Sequence, residues 1–283
     1  MDSGTMGRAL VVLGAGGAVG RGVVEAALSE ARAVVAVGLD EAARTALLAD
    51  HPRARLRAIP AAIRSDADAA ALAATLRGSG TAIEGVIASL AGTHPCGRLI
   101  DEPAEVLQRT LDEDLLPHLF AARHLLPLLG DHSAGYVLVG GPGGRYPWAG
   151  YGHCSIAAAA LRMMARVLHE EAGRQGQRVQ LLSMDAPLGA NAADDALALG
   201  RRALAMLEAA RGRCPAPILD YAAPMTSGVI ATTPASGASS AMSGRRRASH
   251  AEVLPARDLR AARALLDAIV SPMSPGTHHD EHC

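Results

Sequence analysis

Ala9 to Leu28 reads A-L-V-V-L-G-A-G-G-A-V-G-R-G-V-V-E-A-A-L, and the reading of the fold starts there. The apolar run Ala9 to Leu13 meets Gly14, Gly16, Gly17 and Gly20, with Val19 inside the cluster, and then Val23, Val24, Ala27 and Leu28 recur at helical spacing. Strand, tight turn and helix is the local prediction. In such a turn the missing side chains let backbone N–H groups and the helix N-terminus approach a pyrophosphate. The spacing reads as G-x-x-G-x-x-G through Gly14, Gly17 and Gly20, or as G-x-G-x-x-x-G through Gly14, Gly16 and Gly20. Both belong to Rossmann variants, and both would equally serve a turn that only packs closely. The acid that binds the cofactor ribose belongs at the end of the second strand, where this chain has Gly38, with Asp40 two residues later. Asp40 is a candidate cofactor contact and also a natural helix cap, so NAD and NADP both stay open.

Working outward, strands are expected at 33–37, 55–59, 85–90, 136–139, 179–182 and 218–221, with helices between them. One helical stretch runs from Pro103 to Leu129, a second from Ser155 to Ala172 and a third from Asp194 to Ala210. Alternation of this kind implies a doubly wound α/β architecture, a parallel sheet covered on both faces. The expected organisation is a Rossmann-type domain over 1–221, a low-complexity linker or loop over 222–255, and a C-terminal helix and tail over 256–283. Arg245, Arg246 and Arg247 fall in the linker and read as a solvated cluster.

Composition narrows the partners. The chain has 283 residues and a formal charge of -1, so no basic field recruits nucleic acid or anionic membrane. No apolar run reaches the roughly 20 residues that span a bilayer. Cys96, Cys154, Cys214 and Cys283 make no C-x-x-C pair, which suits a reducing cytoplasm. A small-molecule ligand or a protein partner is the expectation. All 27 basic residues are arginine, so chemistry that needs a side-chain amine is excluded.

From Leu10 to Tyr221 the order of elements resembles the short-chain dehydrogenases/reductases. Val12 to Gly22 is similar to that family's first turn, and Ala88 to Gly92 (A-S-L-A-G) falls where the family has N-N-A-G, keeping Ala91 and Gly92. Asp114 to Pro127 resembles the stretch that begins N-L-x-G and ends L-P, with Asp114 in the asparagine's place. The resemblance implies a nicotinamide cofactor, a catalytic serine after the fifth strand and, thirteen residues on, a Y-x-x-x-K helix. Here V-G-G-P-G-G puts Gly140 and Gly141 at the serines, while A-A-A-A-L-R at 157–162 puts Ala158 at the lysine and Cys154 at the tyrosine. Serine, tyrosine and lysine are all missing, so the family's hydride-transfer mechanism is expected to be lost.

Substitutes can be nominated. Tyr151, three residues before Cys154, would face the same cleft if the helix begins early, as a hydrogen-bond donor or as aromatic lining with Tyr146 and Trp148. Arg145 would bring a positive charge. Cys154, beside His153 at a helix start, could be a thiolate held by the helix dipole or a small buried filler. Asp114 and His118, one turn apart, could share a proton or make a surface pair. The terminal run from His278 to Cys283 carries metal-capable side chains but reads as a free tail, so no metal site is expected.

The segment from Met184 to Ala193 is short and predicts an open cleft. Three functional readings remain: a degenerate family member that works on a small molecule by a non-standard and even non-redox route, an atypical NAD(P)H-dependent oxidoreductase, or a non-catalytic partner or regulatory subunit. In the family, long helices equivalent to those ending at Leu129 and Ala172 pair between subunits, so a homodimer or larger assembly is expected.

Overall fold

The computed structural model describes residues 7–130, 135–208 and 215–222, which belong to a compact unit spanning Met1–Thr226. The expected linker beyond residue 222, the C-terminal helix and the terminal histidine run all lie outside the described residues.

In chain order the elements are β1 (Arg8–Leu13), α1 (Ala18–Ser29), β2 (Val34–Val37), α2 (Glu41–Asp50), β3 (Leu56–Ile59), α3 (Asp66–Gly78), β4 (Ala82–Ala88), α4 (Ala104–Asp114), α5 (Leu116–Leu125), β5 (Gly135–Gly140), α6 (Gly152–Gly173), β6 (Arg178–Met184), α7 (Ala192–Glu208) and β7 (Ile218–Tyr221). All seven strands pair parallel, in the order β3-β2-β1-β4-β5-β6-β7. The winding reverses between β1 and β4, and in such sheets the ligand crevice opens beyond the strand C-termini at that reversal. The α/β Rossmann-type fold is as the sequence predicts.

Alternate strand residues feed two cores, since successive side chains point to opposite faces of a sheet. Val11, Val35, Leu138 and Leu181 pack with Leu72, Leu125 and Leu161 on one side. Leu10, Val12, Val34 and Leu182 pack with Val23, Leu199 and Leu204 on the other. Because β1, β2 and β5 are buried on both faces, they read as unbroken apolar runs.

Three details differ from the sequence prediction or lie beyond it. The stretch expected as one helix over 103–129 is α4, α5 and a 3-10 turn at Leu126–Leu128. Pro117 supplies no N–H to continue the ladder and crowds the carbonyl of Glu113, so the chain turns at Leu115 and starts again. Secondly, α1 and α7 touch backbone to backbone. A Cβ on Gly200 would lie 2.5 Å from the Gly22 carbonyl oxygen, and one on Gly22 would lie 2.3 Å from the Ala196 carbonyl carbon. Thirdly, the edge strand β7 is pinned by Arg162 of α6, whose Nη1 donates to Ser183 Oγ at 2.8 Å and Asp220 Oδ1 at 2.5 Å. No helix among the described residues is long and apolar enough to cross a membrane.

Candidate active site

Two cavities open at the C-terminal ends of the central strands. The first, about 530 Å³, is lined by Leu13, Gly14, Gly17, Gly38, Ile63 and Arg64, and by the Leu90–Gly92 segment that follows β4. Gly14 has φ +75°, and a Cβ there would strike the Ser89 carbonyl oxygen at 1.9 Å. Gly16 and Gly20 are likewise closed off by protein, with Gly38 O and Gly14 O at 2.6 and 2.0 Å from an added Cβ. Gly17 differs from these three. It is the N-cap of α1, nearest neighbour 3.5 Å away, and the helix's first turn carries no acidic residue and no side-chain cap. Gly38, at φ +91°, leaves the end of β2 without a side chain. Val19 packs against the core rather than lining the cavity. Asp40 takes the cap role the sequence offered: its carboxylate accepts from Ala43 N at 2.7 Å at the start of α2, and it does not line the cavity.

The second cavity, about 370 Å³, shares Leu90, Ala91 and Gly92 with the first. Its remaining wall includes His94, Asp114, Gly141, Tyr151, Cys154 and Ala158, so the residues aligned with the family's serine, tyrosine and lysine do converge here. They bring no hydroxyl, phenol or amine. A Cβ on Gly141 would meet nothing within 4 Å.

Asp114 does not pair with His118. It closes α4, accepts from Gly92 N at 2.7 Å and stands 2.8 Å from His94 Nε2. His118, past the break at Leu115, is fully buried, contacts the Leu90 carbonyl through Nε2 at 3.0 Å and leaves Nδ1 without a partner. Burial drives its pKa down to about 4. Sequence reasoning missed His94. The signal was slight, a histidine two residues beyond Gly92 in the loop after β4, and only the fold brings it to a carboxylate twenty residues on.

Tyr151 precedes the first residue of α6 and stacks on Trp148, centroids 4.1 Å apart. The loop that carries it is tied down at several points: Gly97 N donates to Gly150 O at 2.8 Å, and Ser155 Oγ accepts from Trp148 N at 2.9 Å. The electrostatic effect of the neighbouring Cys96 thiol, followed by burial, raises the Tyr151 pKa, so the phenol is a neutral donor. Cys154 is not a dipole-stabilised thiolate. Burial, then the Asp114 carboxylate, push its pKa up to about 11, outweighing its place at a helix start. Arg145 supplies no charge to the cavity, because its guanidinium lies over the Tyr146 ring and pairs with Asp220 at 3.4 Å. His153 is fully buried with both ring nitrogens unpartnered, edge-on to His94 at 5.8 Å between centroids.

Residues 14–212 match the family model described as enoyl-(acyl carrier protein) reductase, and the chain belongs to this family of short-chain dehydrogenases/reductases. Solved structures agree on the fold. A NADPH-bound short-chain oxidoreductase from Pseudomonas aeruginosa PAO1 containing an atypical catalytic center is 18% identical, with a TM-score of 0.67 over 77% of this chain and 96% of that one. The enoyl-[acyl-carrier-protein] reductase (NADH) from Aquifex aeolicus VF5 is 17% identical, with a TM-score of 0.65 over 78% and 97%. A short chain dehydrogenase from Mycobacterium smegmatis is 20% identical, with a TM-score of 0.66 over 80% and 95%. A comparison with curated protein sequences finds no match.

Proposed function

We propose that the protein is an atypical oxidoreductase that holds NAD or NADP in the first cavity and a small carbonyl or conjugated substrate in the second. The observation that carries this reading is the common wall: Leu90, Ala91 and Gly92 face both cavities, so a ligand on the glycine turn opens directly onto the polar cluster. The residues present fit a dinucleotide. Gly17 and the uncapped first turn of α1 would take the pyrophosphate, and Gly38 leaves room beside the ribose. A bound nicotinamide supplies or takes up hydride.

The chain's own groups then bind and polarise. Tyr151, held neutral, donates a hydrogen bond to the substrate oxygen and delivers the proton. Asp114 fixes the His94 ring beside it. Val139, Leu161 and Met184 line the cavity and keep water from part of it. The amine that lowers the tyrosine pKa in the family has no counterpart here.

NADH and NADPH fluorescence titrations test the reading. Binding of either at micromolar protein, weakened at least tenfold by Gly17→Asp, is expected. No response to either nucleotide would overturn it and favour a non-redox or non-catalytic role. A second test builds the missing set, Gly141→Ser, Cys154→Tyr and Ala158→Lys together, which should add measurable ketone reduction.

The same reading includes self-association. Leu119 on α5 and Ile156, Met163 and Val167 on α6 are large apolar side chains 40–56% exposed, and the three on α6 recur on one face. Light scattering should give a dimer or larger species that Met163→Glu weakens.

A further inference from the structure

Three cavity groups converge without a cation to balance them. The nearest atoms of His94, Asp114 and Cys154, an imidazole nitrogen, a carboxylate oxygen and a sulfur, all lie within 4.8 Å of one another, the one such constellation among the described residues. The proton positions on His94 sharpen its meaning. Thr110 Oγ1 donates to Val106 O at 2.8 Å, so towards His94 Nδ1, 3.4 Å away, the hydroxyl presents a lone pair. Glu113 Oε2 stands 3.9 Å from the same nitrogen. One long hydrogen-bond acceptor and a nearby carboxylate therefore favour the proton on Nδ1. In a neutral ring that leaves the Nε2 lone pair aimed at Asp114 Oδ1, 2.8 Å away, and this oxygen already receives the Gly92 N–H. Two lone pairs face each other across that gap unless a second proton or a cation lies there.

His153 gives an independent sign. Its ring is fully buried against His94 and Tyr151, and neither nitrogen has a partner. Leaving buried polar atoms unsatisfied is costly, and each one in a native protein calls for an explanation such as a catalytic role or a bound water or ion.

We propose that His94 Nε2, Asp114 Oδ1 and Cys154 Sγ bind one divalent metal ion of the zinc class, with the fourth position open to the cavity. One nitrogen, one oxygen and one sulfur ligand suit zinc, whose bonds of about 2.0–2.3 Å would be met by His94 Nε2 and Asp114 Oδ1 opening from 2.8 Å to about 3.3 Å while Cys154 Sγ moves in. Three protein ligands plus an open position is the arrangement of a catalytic rather than a structural site. Thr110 and Glu113 behind Nδ1 act as positioning residues, the carboxylate and hydroxyl that orient a ligating imidazole. The metal brings the positive charge that the absent lysine and the outward-turned Arg145 do not, and it favours the thiolate form of Cys154. Its role, polarising the substrate oxygen as a Lewis acid beside Tyr151, rests on the oxidoreductase reading, but its binding does not.

The test uses the full-length chain, stripped with chelator and titrated with Co²⁺, then with Zn²⁺ in competition. One equivalent of Co²⁺ should produce a sulfur-to-metal charge-transfer absorption that Zn²⁺ displaces. Cys154→Ser should abolish that band, His94→Ala and Asp114→Asn should each weaken binding at least tenfold, and Thr110→Val should weaken it roughly 10–100-fold. Circular dichroism confirms that each variant is folded. A chain with His278, His279 and His282 changed to Ala and Cys283 to Ser should keep the band. No band in the folded parent chain, or a band that survives Cys154→Ser and disappears with the tail changes, overturns the proposal. Nucleotide titrations separate the two readings: NADPH binding without a metal band rejects the metal alone, and a metal band without binding of either nucleotide rejects the oxidoreductase alone.

Discussion

His94 Nε2 and Asp114 Oδ1 stand 2.8 Å apart although twenty residues separate them, because α4 ends at the mouth of the cleft that the loop after β4 crosses. Asp114 serves two partners with one oxygen, and Gly92 N is the other, at 2.7 Å. Asp114→Ala leaves the Gly92 N–H without that acceptor and the His94 ring without its neighbour, and should cost about 1–3 kcal/mol of stability. Asp114→Asn keeps an oxygen for Gly92 and should cost less, a ranking that denaturant titration of the two variants will check.

The glycine turn predicts unequal responses. Gly14→Ala puts a Cβ 1.9 Å from the Ser89 carbonyl oxygen at a positive φ, so the protein should lose stability and express poorly. Gly17→Ala has 3.5 Å of clearance and should fold normally. Its methyl group lines the first cavity, so nucleotide affinity should fall while the melting curve stays put.

Helix contact supplies a prediction far from the site. Gly200→Ala forces a methyl group to within 2.5 Å of Gly22 O, and α1 and α7 must separate. A loss of about 1–3 kcal/mol is expected, read as a Tm decrease of about 2–4 °C per kcal/mol.

His118 makes stability depend on pH. Its pKa is about 4 in the folded protein against an ordinary 6.5, so between these values the unfolded chain binds more protons. The contribution is complete above pH 6.5 and is lost as pH falls towards 4, amounting to roughly 3 kcal/mol. His118→Leu should flatten Tm against pH in that window. An unchanged slope would show that other groups set it.

Much of the architecture was legible because its causes are local. Ala9–Leu13 and its glycines gave strand, turn and helix, Asp40 caps α2 as the sequence suggests, and the alternation implied the parallel sheet. The long helix was over-read, since apolar periodicity through Leu115 masked what Pro117 does to the hydrogen-bond ladder. The site was only half legible. Aligned spacing located Gly141, Cys154 and Ala158 around one cavity. Nothing in the sequence ties His94 to Asp114, because a pair formed across a loop and a helix end has no periodicity. Of the two readings offered for Cys154, the dipole-held thiolate does not hold for a related reason: the surrounding wall and the facing carboxylate come from distant segments.

The crowding around Gly14, Gly16 and Gly20 bears on how such sequences are read across lineages. Neighbouring backbone, not a ligand, forbids a side chain at these three positions, so descendants that had stopped using a nucleotide would still have to keep them. The motif is therefore a record of how the turn is built. Gly17 alone is free to drift once the cofactor is gone, and what occupies that position in related chains is the better witness to use.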